Sequence, residues 1–310
     1  MVITPQQRDT TASQAADANT PTASVQAAPA VLSQPVPARA PHAVPAWWAH
    51  AALAWPLAKK DVLARYRGSA FGLAWALITP LAMVLIYAAV FRGVFNARWP
   101  GSAPAEASAV MDGVSYAVRL FAGLMVFTGV AEVATRATRL MADNANLVKR
   151  VLFPLDLLCL ALVLQTALHA LLQTVMLALL LLLSGQWPRL GWLALPLVWL
   201  AVLAWQLTLA WWLSALGTYL RDLQHLVPAL IGGLLFLSPV FYPLDAAPPV
   251  LRAALLFNPL TGLIEAMRWA WFGGSLRWDA VACSLLALAV LMPAGRWLFQ
   301  RLRPGFADLV

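Results

Sequence analysis

Hydrophobic positions in this chain run in long blocks, and charged residues fall mostly between the blocks. Several blocks reach the roughly 20 residues that a helix needs to cross a hydrocarbon core. They predict six spans at about 69–92, 115–134, 155–183, 190–219, 224–243 and 278–299. Between the last two, residues 245–275 are apolar but broken by Pro248, Pro249, Asn258, Pro259, Glu265 and Arg268. Neither half is long enough to cross. Two short re-entrant helices fit, because irregular backbone at membrane depth needs protein or water around it. The pattern predicts an all-α, polytopic membrane protein whose transmembrane domain spans residues 69–300.

The flanks read differently. In residues 46–68, Trp47, Trp48, Trp55, Leu57, Val62 and Leu63 alternate with Lys59, Lys60, Arg65 and Arg67. That mixture predicts an N-terminal amphipathic helix lying in the cytoplasmic interface, with Pro56 in its first turn. Residues 1–45 are mostly Ala, Pro, Thr, Ser and Gln, and are expected to be a disordered tail. They lack the basic start and apolar run of a signal peptide. Residues 301–310 form a short basic tail. With both termini cytoplasmic, inner segments hold twice as many Lys and Arg as outer ones, as the positive-inside rule requires. Trp99, Trp187, Trp192 and Trp278 then mark the outer boundary, and Trp75 and Trp297 the inner one.

Composition narrows the function classes. Of the 310 residues, 62% are apolar and 11% charged, against about a quarter charged in soluble domains. An ordinary soluble enzyme and a wholly disordered chain are both excluded. The net charge of +8 follows from inner loops facing anionic lipid and calls for no nucleic acid. Cys159 and Cys283 lack metal-ligand spacing and read as packing residues, so neither a metal nor a cofactor is expected on this chain. No G-x-x-x-x-G-K-[ST] motif occurs; if ATP drives the protein, another chain binds it. The carboxylates Glu132, Asp156 and Asp222 on one side, and Glu106, Asp112, Asp245 and Asp279 on the other, are scattered, which disfavours a membrane-embedded enzyme. A secondary transporter predicts internal repeats and ion-binding acids at mid-membrane, and neither is visible.

Some polar groups inside the spans suggest chemistry. Gln165, His169 and Gln173 repeat at helical spacing and share one face. They suit either a channel lining that binds hydroxyls or hydrogen bonds between helices. Tyr87, Phe91, Phe121, Phe127, Phe236, Phe241 and Tyr242 can stack on sugars or simply pack. Glu265 has an obvious partner in Arg268, three residues on, and Glu132 is expected to pair with a nearby Arg. The polar stretch 135–153 reads as a solvated loop or a docking segment. Gly68 to Gly72 matches G-x-x-x-G and reads as an entry turn, with a dimer seam as the other reading.

Several motifs in order resemble the permeases of ABC-2 type polysaccharide exporters. They are Lys60-Asp61-Val62-Leu63-Ala64-Arg65-Tyr66-Arg67-Gly68-Ser69 followed by Gly72-Leu73-Ala74-Trp75 and Pro80; Asn146-Leu147-Val148-Lys149-Arg150-Val151-Leu152-Phe153-Pro154; Tyr219-Leu220-Arg221-Asp222-Leu223-Gln224; Ser238-Pro239-Val240-Phe241-Tyr242-Pro243; Asn258-Pro259-Leu260-Thr261-Gly262-Leu263-Ile264-Glu265; and Phe306-Ala307-Asp308. The resemblance covers residue 55 to the end and lies nearest to O-antigen exporters; the long N-terminal segment departs from it.

The resemblance implies a homodimeric channel in a bacterial inner membrane. Two ATP-binding subunits, which carry ATP and Mg, dock beneath it, and a polysaccharide on a lipid diphosphate is moved outward. It implies ATPase coupling through Asn146, Lys149, Arg150, Phe153 and Pro154. From the residues themselves, the stretch around Asp61, Arg65, Tyr66 and Arg67 reads as a contact for headgroups and the ATPase, with Arg65 and Arg67 suited to a carrier diphosphate, and Tyr87, Gln165, His169 and Gln173 as candidate channel lining. The outer gate would comprise Phe241, Tyr242, Pro243, Asn258, Pro259 and Glu265. Teichoic acid or another surface glycan is the alternative cargo. A small molecule is a further alternative, disfavoured by the broken outer segment.

Overall fold

The computed structural model describes residues 46–66, 68–94, 99, 109–150, 153–183 and 187–310. The expected tail 1–45 and Arg67 lie outside the described residues, as do the side chains of Arg65 and Tyr66. All regular structure among the described residues is helical. The helices are α1 (Ala46–Tyr66), α2 (Trp75–Ala88), α3 (Ala109–Ala137), α4 (Leu140–Asp143), α5 (Ala145–Val148), α6 (Asp156–Leu183), α7 (Leu195–Tyr219), α8 (Leu223–Phe236), α9 (Pro249–Phe257), α10 (Pro259–Phe272), α11 (Trp278–Leu302) and α12 (Phe306–Leu309).

Among the described residues, four helical stretches are long and apolar enough to cross a membrane: Gly113–Ala137, Asp156–Leu183, Leu190–Tyr219 and Trp278–Leu309. The pair α9 and α10 meets the same test jointly but bends by 94° at Asn258. Leu171, Val175 and Leu179 on α6, with Leu286 and Val290 on α11, expose apolar side chains suited to lipid. The chain is an all-helical, multi-pass membrane protein.

The helices differ from the expected pattern in four places. The first block enters its helix only at Trp75, because Gly68 and Gly72 adopt φ of 84° and 49° and turn the chain beforehand. The fifth block is a 14-residue helix that stops at Phe236, followed by a turn through Ser238-Pro239. Pro239 has no N–H to continue the ladder and steers Ser238 away from helical geometry. Pro56 lies inside α1 rather than at its start. The expected loop at 135–153 contains two one-turn helices, α4 and α5.

Helix α3 is the central column. Its run from Leu120 to Phe127 is buried throughout. Around it, Tyr116, Phe121, Trp205, Phe241, Met267 and Trp271 form one core cluster. A second gathers Val133, Met141, Val148, Leu158, Trp211, Phe299 and Phe306 towards α4 and α5. Glycines set two close approaches. Gly217 of α7 lies against the backbone of Thr138, and Gly262 of α10 against the carbonyl of Ala280. Helix α1 packs on α6, with Ala54 and Leu57 against Leu157 and Ala161.

Candidate functional site

A cavity of about 440 Å³ opens between α2, α3, α6 and α8. Trp75 and Tyr87 on α2 supply rings to its wall. Thr128 and Glu132 come from α3, and Thr166, His169 and Gln173 from α6. Their spacing explains the convergence, since residues four apart project from one helix face. Three of the four expected channel residues, Tyr87, His169 and Gln173, therefore meet at one cavity. The fourth, Gln165, does not line it.

Gln165 is buried because it serves Arg136. The guanidinium of Arg136 donates to the Gln165 Oε1 at 2.7 Å and to the Glu132 Oε1 at 3.3 Å. The second carboxylate oxygen of Glu132 lies 3.9 Å from the His169 Nδ1. A polar relay thus links α3 to α6, where an isolated charge would be expensive. Deeper still, Thr166 donates to the buried Gln206 Oε1 at 2.9 Å. Arg136 and Gln165 face a different cavity of about 570 Å³, lined also by Lys60, Asp61, Asp143 and Asn144.

The second site is the turn after α8. A helix end leaves carbonyls without intrahelical donors, and at membrane depth other groups must satisfy them. Tyr242 Oη donates to Phe236 O at 2.9 Å, and Asn258 Nδ2 to Leu237 O at 3.0 Å and to Ser238 Oγ at 2.9 Å. Arg268 Nη1 donates to Pro239 O, and Nη2 to Val240 O at 2.6 Å. Tyr116 Oη donates to Phe241 O at 2.7 Å. Glu265 lies 3.0 Å from Arg268, as the i, i+3 spacing leads one to expect, and the Trp99 ring lies 4.3 Å from the guanidinium carbon. Phe241 is buried, stacked on Phe91 at 4.4 Å and edge-on to Tyr87 at 5.0 Å.

Asn258 has a second task. Its Oδ1 accepts from the Leu260 N–H at 3.0 Å and so caps α10, with Pro259 in the first turn. The far end of α10 closes on Gly273, at φ 72°, with Arg189 Nη1 donating to Phe272 O at 2.6 Å. Nearby, Arg277 bridges Asp245 at 2.6 Å and Asp279 at 2.9 Å. Hydrogen bonding to Asp279 raises the Arg277 guanidinium above its ordinary value.

The third site surrounds α4 and α5. Asn146, Lys149 and Arg150 are exposed, while Phe153 and Pro154 are half-buried. The last helix braces this segment. Phe306 is fully buried beside Phe299 and Tyr219, and Arg303 donates to Phe153 O at 3.4 Å.

Sequence reasoning identified the Glu265–Arg268 pair but missed the carbonyls that Arg268 serves. It missed Tyr116 altogether, and no sequence signal marks a single Tyr in an apolar helix. It left the partner of Glu132 unnamed, although Arg136 stands four residues on.

The family model described as ABC-2 type transporter matches residues 53–272. The O-antigen export system permease protein RfbA of Klebsiella pneumoniae is 25% identical over 255 residues, which cover 82% of this chain and 93% of that protein. The protein of the same name from Myxococcus xanthus is 26% identical over 257 residues, 82% of this chain and 94% of that one. The polysialic acid transport protein KpsM of Escherichia coli is 23% identical over 235 residues, 75% and 86% of the two chains.

Proposed function

This chain belongs to the ABC-2 type transporter family, and from that premise we propose that it is the permease subunit of an ATP-driven exporter of a lipid-diphosphate-linked polysaccharide, of O-antigen type. The observation that carries the reading is the cavity between α2, α3, α6 and α8. It joins aromatic rings to hydroxyl, amide and imidazole groups inside an otherwise apolar bundle. Sugars present C–H faces that stack on rings and hydroxyls that exchange hydrogen bonds, so this mixture suits them. The names of the relatives, O-antigen export permease and polysialic acid transport protein, support the same class.

In this reading two copies form the channel in the bacterial inner membrane, with both chain ends cytoplasmic. Helices α2 and α8 serve as the first and fifth of six spans, and α9 and α10 are re-entrant. Two ATP-binding subunits dock at Asn146, Lys149 and Arg150, with Phe153 and Pro154 passing motion to α6. Helix α1 lies at the membrane surface, where Asp61, Arg65, Tyr66 and Arg67 meet headgroups or the carrier diphosphate. The turn from Phe241 to Pro243, with Asn258, Pro259 and Glu265, forms the outer gate. No bond is broken by this chain; ATP and Mg act on the partner subunits.

Deleting the gene in its host tests the reading. Surface polymer should be lost while carrier-linked polymer accumulates in the inner membrane. An unchanged surface would rule out polysaccharide export, and loss without a trapped intermediate would indicate a synthetic step instead.

A further inference from the structure

We propose that the end of α11 and the turn after it take part in docking the ATP-binding subunit: the pocket they form with the stretch after α5 receives an acidic side chain of that subunit between Arg150 and Arg303. This rests on the export reading above and gives the docking surface a second wall.

A cavity of about 250 Å³ opens between the stretch that follows α5 and the end of α11. Val148, Arg150 and Phe153 line one side, and Gln300, Arg303 and Ala307 the other. The second side lies beyond residues 53–272, the part that the family model matches, so family membership says nothing of it.

The two sides are tied together. The Phe153 N–H donates to Arg150 O at 3.1 Å, and Arg303 Nη2 donates to Phe153 O at 3.4 Å. Next to Arg303, Tyr219 Oη donates to Leu302 O at 3.0 Å and lies against Gly305. Phe306 is fully buried and anchors the turn between α11 and Ala307. The pocket is thus shaped before any partner arrives, and little ordering entropy remains to be lost on binding.

Its chemistry is one-sided. Two guanidiniums and one amide line it beside apolar side chains, and no described carboxylate is among the lining residues. Among the described residues neither guanidinium forms an ion pair. The complement is an anion, and the planar fork of Arg matches a carboxylate. Volume narrows the kind of anion. Small-molecule sites take about 300–1,000 Å³, so this pocket is undersized for a nucleotide or a sugar. It suits one Asp or Glu side chain with an apolar neighbour against Phe153. Arg150 already belongs to the surface assigned to the ATP-binding subunit, so a carboxylate held beside it comes from that subunit.

The complex of permease and ATP-binding subunit, purified in detergent from the host membrane, provides the test. Arg303→Gln keeps a donor for Phe153 O but removes the charge. Ala307→Trp fills the pocket and keeps both charges. Each should weaken association by on the order of tenfold, and Arg303→Gln should also flatten its salt dependence. Arg301→Gln removes the same charge from an exposed position outside the pocket and should change association far less. Hydrogen exchange at Asp143 to Lys149 in the free permease should match wild type in all three variants. Unchanged association in Arg303→Gln and Ala307→Trp would overturn the inference and leave the export reading standing. Equal weakening by Arg301→Gln would overturn it too, since surface charge rather than the pocket would then be responsible. Weakening together with lost protection at Asp143 to Lys149 would reduce Arg303 to a brace for α5. An intact complex that loses co-purifying phosphatidylglycerol would give the pocket to a lipid headgroup instead. If no ATP-binding subunit accompanies the permease, the export reading falls and this inference with it.

Discussion

Arg268 reaches across from α10 to the turn after α8 and donates to the carbonyl of Val240 at 2.6 Å. The same guanidinium serves Pro239 and Glu265. One side chain therefore fixes the position of an irregular backbone segment relative to two helices. If that segment moves during transport, it must move with α10 or break these bonds.

Arg268→Ala should be severe, because it strands two buried carbonyls and a carboxylate together. Removing one partner of a buried ion pair costs about 3–5 kcal/mol. Arg268→Lys should recover only part of this, since an ammonium cannot reproduce the planar fork that spans neighbouring carbonyls. Thermal unfolding of the detergent-purified protein reads the order: wild type highest, Lys intermediate, Ala lowest. Equal midpoints for Lys and wild type would show that charge, not geometry, holds the turn.

Asn258→Ala removes a helix cap and two contacts to the turn at once. A lost cap alone costs about 1 kcal/mol. Asn258→Asp keeps the Oδ1 acceptor but loses the amide donor to Leu237 and Ser238. The Asp variant should therefore fall between wild type and Ala in unfolding midpoint. If it matches wild type, the cap is the whole contribution of Asn258.

The glycines divide into two kinds. A Cβ on Gly217 would collide with the backbone of Thr138, while one on Gly232 would meet nothing within 4 Å. Gly217→Ala must push α7 from the Thr138 turn, and overpacking of this kind costs about 1–3 kcal/mol. Gly232→Ala should be neutral or raise stability by roughly 0.5–1 kcal/mol, because Ala is the better helix former. Measuring both unfolding midpoints under one condition checks the contrast. A Gly217→Ala protein as stable as wild type would mean that the helices separate at little cost.

The membrane class was legible because a chain that is 62% apolar, with charge-free blocks of span length, has too little polar surface to cover itself in water. The shared face of His169 and Gln173 was legible from helical periodicity. Gln165 obeyed the same periodicity yet left the cavity, because Arg136 competes for it from another helix. Spacing within one helix carries no information about that competitor. The early stop of α8 was signalled by Pro239, but hydropathy alone ran the block through to residue 243. The long-range bonds of Tyr116 and Arg268 bridge positions 125 and 28 residues apart in the chain. Such pairings come from packing, and local pattern cannot supply them.

The last helix offers a test of how the surface at α4 and α5 is built. Phe306 is fully buried and packs edge-on against Phe299, with ring centroids 5.5 Å apart. It belongs to the same core cluster as Met141 and Val148, which anchor α4 and α5 from beneath. One-turn helices are too short to hold themselves, so their shape depends on that support. Phe306→Ala should cost about 3–5 kcal/mol locally, and the loss should fall on α4 and α5 first. Hydrogen exchange then separates local from global effects. Amides of Asp143 to Lys149 should lose protection while those in the middle of α3 keep theirs. Phe306→Leu should restore most of the protection, because it refills much of the volume. Uniform loss across α3 and α7 would instead make Phe306 a general core residue, and the bracing of α4 and α5 would have to be sought elsewhere.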